Sequence, residues 1–336
     1  MKTRDPEANF ERLWQTFHRR YPFFDVRKVD WDRQFEIFRR QVTADTTDDE
    51  LWNIFRHMLG PLRDGHVELS AKGIDGGKKR YFNPEKTPRF EREFSPREIK
   101  QLKQITNATL ADHGFSRPAK TEAWMLRYCR SSDLGYLRIL ELEGVKKRRL
   151  RAALDGIARD FKTLKGFIID LRNNPGGDDS TVLTILNRFC DSKRVAFRRT
   201  TKAGPGPDDF TPLKTWYLEP QGELQFTGRI VLLTCDAVFS GAEVYALAAK
   251  QLPYVTIVGE HTNGVFSYQL EKKLPNGWKY RLSYQVYLSA DGVCYEAVGV
   301  PPDIELLNRK SDIENGVDPL ITRAIEVLSS NGDGVG

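Results

Sequence analysis

The chain has 336 residues, 40% apolar and 11% aromatic, which is enough for a substantial buried core and too apolar for an unstructured segment. Lys and Arg outnumber Asp and Glu by 52 to 46; this +6 balance, unaccompanied by zinc-finger spacing, a stacking signature or a glycine-rich phosphate loop, argues against a nucleic-acid partner. Four scattered cysteines read as small buried hydrophobes and argue against a disulfide framework or a thiolate metal site, and no apolar run reaches membrane-span length.

From the N-terminus, Phe10, Leu13, Trp14 and Phe17 fall on one face of a predicted helix. A second helix is expected through Trp31, Phe35 and Phe38. A third starts at the capping box Thr47 to Glu50, carries Leu51, Ile54, Phe55 and Met58, and stops at Gly60-Pro61. The stretch from Gly73 to Pro118 is rich in Gly, Pro and charge and reads as a boundary, with one helix predicted from Ser95-Pro96 and its capping partner Glu98.

After residue 122 strands alternate with helices. Strands are predicted at 124–130, 134–140, 167–171, 229–234 and 255–258, and helices at about 147–162, from 178 to near Phe189, and from Ser240. The tail from Tyr268 to Leu307 alternates apolar and polar residues, and a last helix covers about 318–328. The expected division is an N-terminal helical subdomain over 1–70, a small irregular region over 71–122 and an α/β core over 123–336. Basic clusters at 78–103, 146–151 and 193–202 read as solvated faces.

Four stretches carry residues that could do chemistry. In Val231 to Lys250, Ser240-Gly241-Ala242-Glu243 opens a helix directly after a buried strand; the pattern fits a capping box, and it equally fits a nucleophile placed where free N–H groups converge. Asn173-Asn174-Pro175-Gly176-Gly177 also follows a buried strand, and its glycines allow either a tight turn or close backbone approach to a ligand. Asp64-Gly65-His66 places one histidine between a turn and a strand-like run, and Glu296 precedes a Gly/Pro turn.

Together these stretches, DGH (64–66), DLRNNPGG (170–177), VLLTCDAVFSGAE (231–243), VGEHTNG (258–264) and EAVGVPPDIEL (296–306), resemble the C-terminal-processing, or tail-specific, serine peptidase family. The resemblance spans about Asp64 to Leu306. It implies an α/β fold, a ClpP/crotonase-like spiral of β-β-α units with an N-terminal helical subdomain and a C-terminal β appendage.

One branch of that family pairs its serine with a lysine after the "GE-T-G" segment, where this chain has Gly264-Val265-Phe266-Ser267. The other, tricorn-like branch uses a histidine and a late glutamate, and His66 and Glu296 match those positions. The resemblance therefore implies a triad of Ser240, His66 and Glu296, with backbone N–H groups of Gly241 and of Gly176 or its neighbour Gly177 as oxyanion donors. Where the tricorn-like branch has a serine before the histidine, this chain has Gly65. The stretch from Gly73 to Pro118 is too short for a PDZ domain.

The implied activity is serine-peptidase hydrolysis through an acyl-enzyme, on short or unstructured peptides, with no metal or cofactor. An esterase or amidase with the same triad and a non-catalytic apolar-ligand binder of the same fold are the alternatives. Asp178 and Asp179 are expected either to form an acidic first helical turn favoured by the helix dipole, the stronger reading, or to line the cleft and favour a cationic substrate group. The expected partner is a peptide or protein substrate, without nucleic acid or a membrane span, and a homo-oligomer is compatible with the resemblance. The start MKTRDPEANFERLW lacks an apolar leader, so a cytoplasmic location is expected if the chain is complete, and a periplasmic or secreted one if a signal peptide was removed.

Overall fold

The computed structural model describes residues 4–74, 78–85 and 87–330. The chain begins with helices α1 (Pro6–Arg20), α2 (Trp31–Arg39) and α3 (Asp48–Leu59), strands β1 (Glu68–Ile74) and β2 (Lys78–Phe82), and helices α4 (Arg89–Glu93) and α5 (Pro96–Asp112). Strands β3 (Ala119–Lys120), β4 (Leu126–Arg130) and β5 (Leu134–Ile139) follow, then α6 (Lys147–Ala158), β6 (Gly166–Asp170) and α7 (Asp179–Leu186). Next come β7 (Arg194–Thr201), β8 (Lys214–Leu218), β9 (Arg229–Thr234), α8 (Gly241–Ala249) and β10 (Val255–Gly259). The chain closes with β11 (Gln269–Lys273), β12 (Lys279–Ser283), β13 (Gln285–Leu288), β14 (Ile304–Glu305), α9 (Lys310–Asn315) and α10 (Pro319–Ser329). It is a mixed α/β protein with several sheets.

Two compact units share the chain. One comprises Met1–Lys86, Arg199–Lys214 and Val265–Tyr287; the other comprises Thr87–Arg198, Thr215–Gly264 and Leu288–Gly336.

In the first unit the helices form where the apolar stripes predict them. The Asp5 carboxylate caps α1, and the Thr47–Glu50 capping box starts α3. Phe10, Leu13 and Phe17 are fully buried. They meet a four-stranded antiparallel sheet in the order β11-β12-β1-β2, in which Glu68 pairs with Arg281. Strand alternation sends Trp278 and Tyr280 inward, where their rings lie 6.0 Å from Phe55 and 6.2 Å from Phe17. Strand β2 falls in the Gly- and charge-rich stretch that reads as a boundary in sequence; pairing with β1, itself paired with β12, makes it a strand.

The second unit is built on a seven-stranded sheet in the order β14-β10-β9-β6-β5-β4-β3. Its members from β5 to β14 run parallel, while β3, β4 and β5 are antiparallel. Every residue of β6 is buried, as expected for a strand covered on both faces. On one face Ile168, Val231 and Val258 pack with Leu320, Ile321 and Ala324 of α10. Phe167, which points the other way along β6, packs with Phe161, Phe189 and Phe226 at centroid distances of 5.2–5.9 Å.

The segment from Thr87 to Asp112 folds into α4 and α5 of this unit, with the expected Ser95–Glu98 capping box. Phe90, Phe94 and Leu102 bury together, and the Arg89 guanidinium holds Glu260 through two bonds of 2.8 and 2.5 Å. At the carboxyl end of β6, burial alone would raise the Asp170 pKa, but Arg172 and Arg138 beside it hold it below the usual carboxylate range. The parallel neighbours β10, β9 and β6 thus release residues 260–264, 235–240 and 171–178 side by side at one edge of the sheet. Among the described residues no helix is long and apolar enough to cross a membrane.

Candidate active site

Ser240 stands at the joint between β9 and α8. The predicted pairing with Glu243 is present: the Glu243 carboxylate accepts the Ser240 N–H at 3.2 Å, and the Glu243 N–H donates to the Ser240 carbonyl at 2.9 Å. An ordinary N-cap residue, however, has an extended backbone. Ser240 has φ 55° and ψ −123°, a conformation that a residue with a Cβ adopts at a cost of about 1–3 kcal/mol. Helix initiation does not require that strain, so capping alone does not explain the residue. A sharp turn that lifts a hydroxyl off the end of a strand does require it.

Glycines make the turn sterically feasible. Gly176 and Gly177 have φ +100° and +140°. A Cβ on Gly176 would lie 2.6 Å from the Phe239 carbonyl oxygen and 2.7 Å from the Gly241 nitrogen, and one on Gly241 would overlap the Gly177 backbone. The 171–178 and 235–241 segments therefore touch main chain to main chain. Asn174 fixes them there: its side chain donates to the Ile139 carbonyl at 2.8 Å and accepts the Gly176 N–H at 2.9 Å, while its carbonyl accepts the Phe239 N–H at 3.0 Å.

The outcome for the backbone donors is specific. The Gly176 N–H is committed to Asn174. Among the described residues neither the Gly177 N–H nor the Gly241 N–H has a protein acceptor. A Cβ on Gly241 would lie 2.8 Å from the Gly177 nitrogen, so two unengaged donors sit beside Ser240 at the start of α8.

Glu243 ties this corner to two further loops. Fully buried, it accepts the Thr262 hydroxyl at 2.6 Å and the Gly264 N–H at 2.5 Å, besides the Ser240 N–H. Thr262 in turn accepts the Val300 N–H at 2.8 Å, and the Gly264 carbonyl accepts the Ala297 N–H at 2.7 Å. Glu296, 2% exposed, lies on the loop so held, next to Ala297 with its φ of 65°. Ser240, Gly241, Gly176, Gly177 and the Glu296 loop thus belong to one hydrogen-bonded framework within the second unit. Asp178 and Asp179 start α7 in the same unit, Asp178 exposed and Asp179 buried.

His66 belongs to the first unit. Arg63 turns the chain with φ 46°, and the buried Asp64 carboxylate accepts the His66 N–H at 2.8 Å and the Tyr21 hydroxyl at 2.9 Å. The Gly65 carbonyl is held by the Asn83 amide at 3.0 Å. His66 is 5% exposed; burial pushes its pKa down to about 4, with Asp64 raising it and Arg27 lowering it. The imidazole is therefore neutral near pH 7, the state in which it can accept a proton.

Sequence reasoning did not single out Asp64, Asn174 or Thr262. All three lie inside the quoted DGH, DLRNNPGG and VGEHTNG segments, so their signal was present but their bonding was not. Among the described residues no group of His, Cys, Asp or Glu could hold a metal ion.

Residues 133–306 match peptidase family S41, and residues 3–60 match the tricorn protease C1 domain. The carboxy-terminal processing protease CtpA of Bacillus subtilis is 27% identical over 176 residues, 52% of this chain and 35% of that protein. The carboxy-terminal-processing protease of Bartonella bacilliformis is 26% identical over 181 residues, 53% of this chain and 40% of that one. The matched stretch thus spans well under half the length of these relatives. A candidate peptidase from Parabacteroides merdae has a crystal structure that superposes with a TM-score of 0.81 at 26% identity, covering 99% of this chain and all of that one.

Proposed function

The chain belongs to peptidase family S41, and we propose that it is a serine peptidase that cuts short or unstructured peptides through an acyl-enzyme on a Ser240, His66 and Glu296 triad. The observation that carries this reading is the left-handed backbone of Ser240 beside the two unengaged N–H groups of Gly241 and Gly177. In this reading the ClpP/crotonase-like spiral, with its helical N-terminal subdomain and C-terminal β appendage, is the frame of the site.

The neutral His66 imidazole takes the proton of the Ser240 hydroxyl as its oxygen attacks the scissile carbonyl. Glu296 orients the imidazole and stabilises the imidazolium. The carbonyl oxygen, now negative, receives the Gly241 and Gly177 N–H groups, each worth about 3 kcal/mol in the transition state. Gly176 acts at one remove: its N–H holds Asn174, which sets the loop that presents Gly177. The imidazolium then protonates the leaving amine, and water, activated by the same imidazole, releases the acyl group. Asp178, exposed at the start of α7, favours a cationic group on the substrate, with Asp179 behind it.

The direct test is labelling with a fluorophosphonate probe. The unaltered chain should react at Ser240, and Ser240→Gly and His66→Asn should not. A chain that never reacts, or that reacts equally after His66→Asn, would end this reading.

A further inference from the structure

The basic stretch beginning at Lys78 takes no part in the site described above. Its residues Lys79 and Tyr81 lie on the outer face of the β11-β12-β1-β2 sheet in the first unit, whose inner face carries Trp278 and Tyr280 against the helices. That outer face forms a concavity of about 440 Å³. Its cations are Lys72, Lys79, Lys273, Lys279 and Arg281, and its carboxylates are Glu68 and Glu271.

The carboxylates are already engaged. Arg281 bonds Glu271 at 2.8 Å and Glu68 at 3.4 Å, and Lys279 bonds Glu271 at 3.1 Å. Among the described residues Lys72, Lys79 and Lys273 form no ion pair. Lys273 moreover stands directly opposite Lys279 in the β11–β12 register, where like charges repel. A face shaped only for solubility would interleave the signs; here the surplus charge converges on one hollow, with the exposed ring of Tyr81 beside it.

We propose that this face docks an acidic peptide segment. Three unpaired ammonium groups match carboxylates spaced along an extended chain, and exposed charge pairs confer steering and register more than affinity. A peptide fits better than a nucleic acid: Glu68 and Glu271 would repel a continuous row of phosphates, and Tyr81 is the one exposed ring lining the hollow. Calling that peptide a substrate rests on the peptidase reading; the docking itself does not.

The test uses the full chain carrying Ser240→Gly, so that nothing is cut, and a fluorescein-labelled peptide of alternating Glu and Gly followed by anisotropy. Saturable binding that weakens with added salt is expected. Lys79→Glu with Lys273→Glu should weaken it about tenfold or more at an unchanged melting temperature. Equal binding of the Gln-Gly counterpart, full binding by the double variant, or easier displacement by oligothymidylate than by unlabelled peptide would overturn the proposal. Fluorophosphonate labelling of a chain with Ser240 intact and both lysines reversed should be unchanged. If the unaltered chain fails to label yet the acidic peptide binds as described, the peptidase reading falls and the docking surface stands.

Discussion

The carboxylate of Glu243 accepts the main-chain N–H of Ser240 at 3.2 Å and the hydroxyl of Thr262 at 2.6 Å, so one buried acid joins the strained serine to the loop that follows β10. Thr262 passes the connection on to Val300, four residues from Glu296. Glu243 thereby holds the Ser240 turn in place as well as taking part in the start of α8.

Glu243→Gln keeps the shape of the side chain but turns one acceptor into a donor facing N–H and O–H groups. A loss of about 1–3 kcal/mol in stability is expected. Labelling of Ser240, followed at a temperature where the variant is fully folded, should slow by about tenfold or more as the hydroxyl loses its aim. Unchanged labelling kinetics would reduce Glu243 to a structural role.

The backbone of Ser240 makes a second prediction. Alanine keeps the Cβ that φ 55° penalises, and glycine removes it. Glycine already outranks alanine at a helix N-cap by about 1 kcal/mol, and relief of the strained turn adds to it, so Ser240→Gly should be more stable than Ser240→Ala by about 2 kcal/mol or more. Thermal melts of the two variants decide it; a difference no larger than the ordinary N-cap preference, or alanine melting higher, would mean that the turn is not strained.

Gly241→Ala tests the main-chain contact. Alanine in the first turn of a helix ordinarily helps by up to about 1 kcal/mol. Here its Cβ would overlap the Gly177 carbonyl, so destabilisation by about 1–3 kcal/mol and loss of labelling are expected together. A stabilised, reactive Gly241→Ala chain would contradict the close approach of the two loops.

His66 sets a pH dependence whose sign follows from its lowered pKa. The folded chain holds the imidazole neutral down to about pH 4, whereas the unfolded chain protonates it near 6.5. Between those values the unfolded state binds the extra proton, so this contribution is complete above pH 6.5 and is lost as pH falls towards 4. Its full size is on the order of 3 kcal/mol. Denaturant melts at pH 7 and pH 4.5 should show a larger loss for the unaltered chain than for His66→Asn. Equal losses would mean that the imidazole is not buried in its neutral form.

Local patterns carried the helices and the buried strands into view, because amphipathic stripes such as Phe10 to Phe17 and apolar runs such as Phe167 to Leu171 are written in neighbouring residues. The Ser240–Glu243 pair was equally visible, but as a cap; its backbone angle depends on Gly176 and Gly177, which are more than sixty positions earlier. Strand β2 was hidden because Lys78, Lys79, Arg80, Tyr81 and Phe82 show no apolar alternation, whereas Val67, Leu69 and Ala71 alternate with Glu68, Ser70 and Lys72 into β1. Strand β2 pairs with β1, which in turn pairs with β12, and a pairing such as Glu68 with Arg281 leaves no mark in a short window. The likeness to a peptidase family was legible in five separated segments, and residues 133–306 match that family. The commitment of the Gly176 N–H to the Asn174 side chain leaves no mark in the sequence.

The pairing of Glu68 with Arg281, 213 positions apart, also governs how the protein is made. A ribosome exposes α1 to α3 long before it delivers Trp278 and Tyr280, so the greasy sides of those helices stay uncovered through most of translation. Closing so long a loop is slow, so this sheet is completed only after β12 emerges. The segment bearing His66 therefore gains its central sheet neighbour β12 only after residues 279–283 have been made, so its final packing is fixed late.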